Sequence, residues 1–217
     1  MAVATTLRIT EIFHSLQGEA RTVGLPTVFV RLTGCPLRCV YCDTAYAFSG
    51  GELTTLDDIL ERVAGFSCTR VCVTGGEPLA QPECLSLLTA LCDRGYDVSL
   101  ETSGAMPIAG ADTRVSRVLD LKTPDSGECH RNDWSNIEQL TPHDQIKFVV
   151  CSRTDYEWAR FKLDEFKLPT RVSDVLFSPS YGVVEPAELA QWLLDDRLAA
   201  RLQLQLHKLL WNDAPGH

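Results

Sequence analysis

The chain has 217 residues, 45% of them hydrophobic and 23% charged, enough to bury a full core and too evenly mixed for a disordered or coiled-coil protein. Its 20 Lys and Arg against 29 Asp and Glu give a net charge of -9 with no basic run, which argues against direct nucleic-acid binding. No linker divides it, so one domain over 1–217 is expected, with 1–25 as an N-terminal extension. The start lacks the basic head and apolar core of a signal peptide and no run is long enough to span a bilayer, so a cytoplasmic protein without membrane contact is expected.

Apolar runs rich in Val, Ile, Leu and Phe predict strands at 26–34, 70–76, 97–103, 117–123, 145–151, 174–180 and 201–207. Amphipathic helices are predicted at 56–65, 82–95, 154–166 and 186–196, the second and fourth with proline in the first turn. Residues 124–144 carry no helical period where a further crossover helix is due. Strand–helix alternation favours parallel strands with right-handed crossovers, and this count falls short of an eightfold barrel. The expected fold is therefore α/β, an incomplete TIM-like barrel with a reduced set of helices. LTGC, VTGGE, LETS, LDLK and FSPS each follow an apolar run, which puts polar residues at the strand C-termini, the rim where parallel barrels keep their chemistry.

Nine cysteines are too many to ignore and, in a reducing compartment, poorly explained by disulfides. Cys35, Cys39 and Cys42 fall within eight residues as CxxxCxxC. Three thiolates on one loop suit a four-iron cluster with one open iron, or a zinc knuckle completed by His14 or His207. Cys68, Cys72, Cys84, Cys92, Cys129 and Cys151 are scattered and read as small hydrophobes. Arg31 stands inside the apolar strand VFVRL and needs an anion, either a substrate carboxylate or an internal partner such as Glu77 or Glu101.

Cys35-x3-Cys39-x2-Cys42 with an aromatic residue before the last cysteine, followed one strand later by VTGGEP (Val73 to Pro78), resembles the radical S-adenosylmethionine superfamily. Within it, SLQGE (Ser15 to Glu19), FVRLTGCPLRCVYCDT, VTGGEP and LETSG (Leu100 to Gly104) resemble the 7-carboxy-7-deazaguanine synthase family over nearly the whole chain. That resemblance implies a carbon–nitrogen lyase of queuosine biosynthesis that contracts 6-carboxytetrahydropterin with loss of ammonia. The implied cofactors are a 4Fe-4S cluster, S-adenosylmethionine and Mg2+; the implied partners are a flavodoxin or ferredoxin electron donor and a second copy in a homodimer.

Carried over by residue, the resemblance gives the cluster to Cys35, Cys39 and Cys42. It gives S-adenosylmethionine to Tyr41, Cys42, Asp43, Gly76, Glu77, Ser103, Asp120, Leu121, Lys122 and Ser178, with the Glu77 carboxylate on the ammonium. Leu16, Gln17, Gly18, Arg31, Thr74 and His207 would touch the pterin, and Thr44 the magnesium. Two segments depart from the family pattern: Asp120-Leu121-Lys122 where the family often reads Ser-Pro-Lys, and FSPSYG (Phe177 to Gly182) where Gln-Pro is common. The competing readings are a glycyl-radical-enzyme activase, which shares the cysteine spacing, and a zinc-stabilised binding module.

Overall fold

The computed structural model describes residues 5–212, 214 and 216. Along the chain run β1 (Thr6–Leu16), β2 (Pro26–Leu32), β3 (Glu52–Thr55), α1 (Leu56–Ala64), β4 (Arg70–Gly75), α2 (Cys84–Asp93) and β5 (Asp97–Thr102). There follow β6 (Ser116–Asp120), β7 (Gln145–Val150), α3 (Arg153–Glu165), β8 (Asp174–Pro179), α4 (Pro186–Asp195), β9 (Arg201–Leu202) and α5 (Leu206–Trp211). The strands form one sheet in the order β3-β1-β2-β4-β5-β6-β7-β8-β9. From β2 to β9 every pairing is parallel, and β1 lies antiparallel to both β2 and β3. This is the expected incomplete barrel, an α/β sheet with few helices.

Period-two alternation sorts each parallel strand into two faces. On β7, Ile146, Phe148 and Val150 join the apolar core, while Lys147 and Val149 line an interior cavity. Helices α1 to α4 cover the outer face. Thr55 caps α1 by accepting from the Asp58 amide at 3.2 Å, and Ile59, Leu60 and Val63 turn inward. Ser152 caps α3 in the same way through the Asp155 amide at 3.2 Å, and Tyr156, Ala159 and Leu163 are its buried face. No helix among the described residues is long and apolar enough to cross a membrane.

Several segments differ from expectation, among them the short β3, which no predicted strand covers. The stretch expected as an N-terminal extension enters the sheet as β1; its charged and polar residues and a register shift between Ile9 and Glu11 hide the alternation. The predicted strand 201–207 ends at Leu202, and His207 lies in α5. There the chain leaves the sheet to cross the open side of the barrel, where the Leu206 amide donates to Gly18 O at 3.0 Å and Gln205 Nε2 to Glu19 Oε1 at 2.7 Å. In place of a crossover helix, 124–139 forms three 3-10 turns. Asn132 and Asn136 fasten them to the strand ends, Asn132 Nδ2 donating to Lys122 O at 2.8 Å and Asn136 Nδ2 to Met106 O at 2.9 Å.

Candidate active site

A cavity of about 610 Å³ opens at the C-terminal rim of the parallel strands, within the usual range of small-molecule sites. Its wall begins with the loop after β2. Cys35, Cys39 and Cys42 all line the cavity and none is in a disulfide. Burial pushes the Cys39 thiol up to about 11, against the opposing pull of Lys122, and raises Cys35 as well. Among the described residues no three His, Cys, Asp or Glu side chains stand close enough to hold one metal ion. The thiols are thus not gathered as a zinc knuckle requires, whereas the corners of a four-iron cube hold thiolates farther apart than a single ion does.

Against this loop packs the turn after β4. Gly75 and Gly76 line the cavity, and a Cβ on Gly76 would meet Gly34 O at 2.2 Å. The absence of that Cβ lets Glu77 N donate to Gly34 O at 2.8 Å and draws the two loops together.

Glu77 itself requires a correction. Its carboxylate, expected on a cofactor ammonium, is fully buried, does not line the cavity and caps the turn by accepting from Leu79 N at 3.0 Å. Its oxygens also accept from Thr102 Oγ1 at 2.9 and 3.0 Å, Ser103 N at 2.7 Å and Ser103 Oγ at 2.5 Å. These donors saturate it and bind the ends of β4 and β5 together.

Two other expected cofactor contacts fall elsewhere. Asp120 and Lys122 line the cavity, but the alternation of side chains turns Leu121 into the apolar core. Ser178, opposite Val149 in the register, is buried with its hydroxyl unpartnered and does not line the cavity; Ser180, one period further along the same face, does. Ser103, Tyr41 and Asp43 line it as well.

A chain of buried charges runs through the barrel. Lys147 Nζ sits 2.6 Å from Glu19 Oε2 and 3.4 Å from Asp120 Oδ2, and Lys122 Nζ lies 3.0 Å from the same Asp120 oxygen. Burial alone would raise the Glu19 and Asp120 carboxyls, but these lysines outweigh it and hold both below the ordinary range. Lys122 also stands over the Tyr41 ring at 5.5 Å. The Tyr41 hydroxyl and Asp120 Oδ1 are buried with no hydrogen-bond partner, so polar capacity remains on the wall beside the cysteines.

On the opposite wall, Leu16, Gln17, Gly18, Arg31, Thr74 and His207 all line the cavity. Gln17 Nε2 donates to Glu101 Oε1 at 3.3 Å, and a Cβ on Gly18 would lie 2.3 Å from His207 Nδ1. Burial and the neighbouring Glu19 charge push the Glu101 carboxyl up, against Lys147 and Arg31. Arg31 finds its internal anion in neither Glu77 nor Glu101 but in Glu11, with Nε donating to Oε1 at 2.7 Å.

Thr44 lines the cavity too; its hydroxyl donates to Asp43 Oδ1 at 2.8 Å and makes no capping hydrogen bond to the turn that follows. Asp43 pairs with Lys208 on α5 at 2.8 Å; burial would raise its carboxyl, but the ammonium brings it down to about 2.

Sequence reasoning missed Glu19 and Lys147. Lys147 carried the signal that singled out Arg31, a cation in an apolar strand.

Residues 29–126 match the Radical SAM superfamily. The chain is 44% identical to the 7-carboxy-7-deazaguanine synthase of Chlorobaculum tepidum over the full length of both. The chain belongs to the 7-carboxy-7-deazaguanine synthase family. A second member, from Koribacter versatilis, is 42% identical over 94% of this chain and 97% of its own. In fold, the chain resembles the crystal structure of QueE from Escherichia coli, with a TM-score of 0.73 at 24% identity over 93% of this chain and 95% of that one. Streptococcus suis SuiB bound to S-adenosylmethionine is a more distant likeness, with a TM-score of 0.58 at 16% identity, covering 79% and 48% of the two chains. As a radical S-adenosylmethionine enzyme, this family member uses a 4Fe-4S cluster, S-adenosylmethionine and Mg2+. The cavity fits them: three unpaired thiols, a glycine turn that a Cβ would block, and orphaned polar atoms on Tyr41 and Asp120 share one wall.

Proposed function

We propose that this chain converts 6-carboxy-5,6,7,8-tetrahydropterin to 7-carboxy-7-deazaguanine with release of ammonia, in queuosine and 7-deazapurine biosynthesis. The observation that carries this reading is a single cavity with three thiols on one wall and Arg31 on another, its Nε held by Glu11 and its terminal nitrogens without a protein acceptor among the described residues. A substrate carboxylate is the anion such a guanidinium takes.

When bound, the cluster and S-adenosylmethionine supply radical hydrogen abstraction, and magnesium a Lewis-acidic anchor. Cys35, Cys39 and Cys42 hold the cluster by their thiolates. Tyr41, Asp43, Gly76, Ser103, Asp120 and Lys122 line the cofactor side, Asp120 through the Oδ1 that no protein group occupies. Arg31 takes the pterin carboxylate, while Leu16, Gln17, Gly18, Thr74 and His207 wall the ring system and exclude water. Thr44 Oγ1 offers magnesium one oxygen, and the substrate and water supply the rest. Glu101 holds a proton more readily than an ordinary carboxylate, for the burial and charge reasons above, and Gln17 fixes the orientation of its Oε1.

In this reading a flavodoxin or ferredoxin delivers the electron in the cytoplasm and the enzyme works as a homodimer, which light scattering on the purified protein checks. The deciding experiment is anaerobic incubation with the pterin, reductant and S-adenosylmethionine, followed by mass analysis. Formation of 7-carboxy-7-deazaguanine with an equivalent of ammonia is expected. Cleavage of the cofactor with the pterin left intact would exclude the reading.

A further inference from the structure

Arg31 is held from three sides by groups drawn from distant parts of the chain. Glu11 stands opposite Arg31 in the antiparallel register of β1 and β2, just after the register shift that begins at Ile9. Its Oε1 accepts from Arg31 Nε at 2.7 Å and from the Tyr46 hydroxyl at 2.8 Å. The guanidinium carbon lies 5.7 Å from the Phe13 ring centroid and 5.8 Å from that of Tyr46, and Phe13 is itself stacked on Phe29 at 5.0 Å. Phe13, Arg31 and Tyr46 line the cavity, whereas Glu11 does not.

A guanidinium can meet a carboxylate side-on, through Nε and one terminal nitrogen, or end-on, through both terminal nitrogens. With Nε taken by Glu11, the side-on approach is closed and the end-on approach is left. The flanking rings restrict rotation of the plane, and the Tyr46 hydroxyl restricts Glu11 in turn. We propose that Glu11 and Tyr46 are positioning residues that hold Arg31 for end-on recognition of the substrate carboxylate and so set the preference for a carboxylated pterin over an uncarboxylated one. This rests on the assignment of Arg31 to the carboxylate. Tyr46 follows Thr44 by two residues, so the same contact ties the carboxylate anchor to the loop that carries Cys42.

The test is fluorescence titration of the anaerobically reconstituted enzyme, with S-adenosylmethionine present, using 6-carboxypterin and pterin as non-reacting ligands. The parent enzyme should prefer 6-carboxypterin, and Arg31→Met should abolish the preference. Glu11→Gln and Tyr46→Phe, which nearly conserve volume, should each reduce the preference about tenfold through weaker 6-carboxypterin binding, the worth of a lost charge-assisted hydrogen bond. Pterin affinity and iron content should stay at parental values in both variants, and Tyr46→Phe, which keeps the ion pair, should also keep the parental melting temperature. An unchanged preference in both variants, or equal weakening of both ligands, overturns the proposal. So does tighter 6-carboxypterin binding in Glu11→Gln, which would make Glu11 a competitor of the substrate. If the parent shows no preference, or Arg31→Met keeps one, the carboxylate role of Arg31 itself fails and the proposal falls with it.

Discussion

Glu77 lies in the turn after β4 and Glu101 on the neighbouring β5, yet their surroundings make them different kinds of carboxylate. Glu77 receives Leu79 N, Thr102 Oγ1, Ser103 N and Ser103 Oγ, whereas Gln17 Nε2 is the donor to Glu101. Glu77→Gln would turn an amide group toward some of these buried donors, costing about 2 kcal/mol as a buried mismatch. Urea denaturation of the metal-free protein checks this, with S-adenosylmethionine affinity measured in parallel; full stability with lost cofactor affinity would return Glu77 to the ammonium. Thr44→Val tests the magnesium assignment by keeping shape while removing the oxygen. Cluster content and cofactor binding should match the parent, and magnesium-stimulated turnover should fall; an unaltered magnesium dependence would end that assignment.

At the scale of elements, the cluster loop and the turn after β4 form one unit because Gly76 has no side chain. In Gly76→Ala the new Cβ would press on Gly34 O, a backbone atom with no flexible end to move aside. The expected result is a folded protein with cluster retention reduced several-fold, read as iron per chain and the visible absorbance after anaerobic reconstitution. Iron content equal to the parent would mean that the two loops tolerate separation. The C-terminal helix makes a second such contact, since Lys208 on α5 pairs with Asp43 beside Cys42 and stands over the Tyr181 ring at 5.4 Å.

Across the whole molecule, stability is tied to a buried pair away from the cavity. Arg117 on β6 reaches Asp144 with Nε at 2.9 Å, Nη2 at 2.5 Å and its amide at 2.9 Å, and the Thr141 amide and hydroxyl donate to it at 2.8 and 2.9 Å. Burial would raise the Asp144 carboxyl, but these donors outweigh it and hold it below its ordinary value. The unfolded carboxyl titrates near about 4, so the contribution is complete above that pH and is lost as pH falls through the lower folded value. Asp144→Asn should cost about 3 kcal/mol at neutral pH, as for one partner removed from a buried pair. Urea titrations across pH should show the gap to the parent closing under acid conditions; a gap independent of pH would place the loss elsewhere.

The local chemistry was legible in the sequence. CxxxCxxC, the glycine turn and the strand-end polar residues depend on contiguous spacing, and Asp120 and Lys122 line the cavity as the order of residues implied. Leu121 was misplaced because a motif was carried over whole where the pleat splits it. The tertiary structure decided who partners whom. Lys147 on β7 meets Glu19 across 128 positions inside the barrel, and Gln205 meets Glu19 across 186, joining the two ends of the sheet over the gap. Glu11, Glu77 and Glu101 have the same side chain, and only strand register and loop packing give them an arginine, a ring of hydroxyl and amide donors, or a raised proton affinity. Chain spacing determines local geometry, but the environment of a carboxylate is set by groups far away in sequence, and no local pattern encodes it.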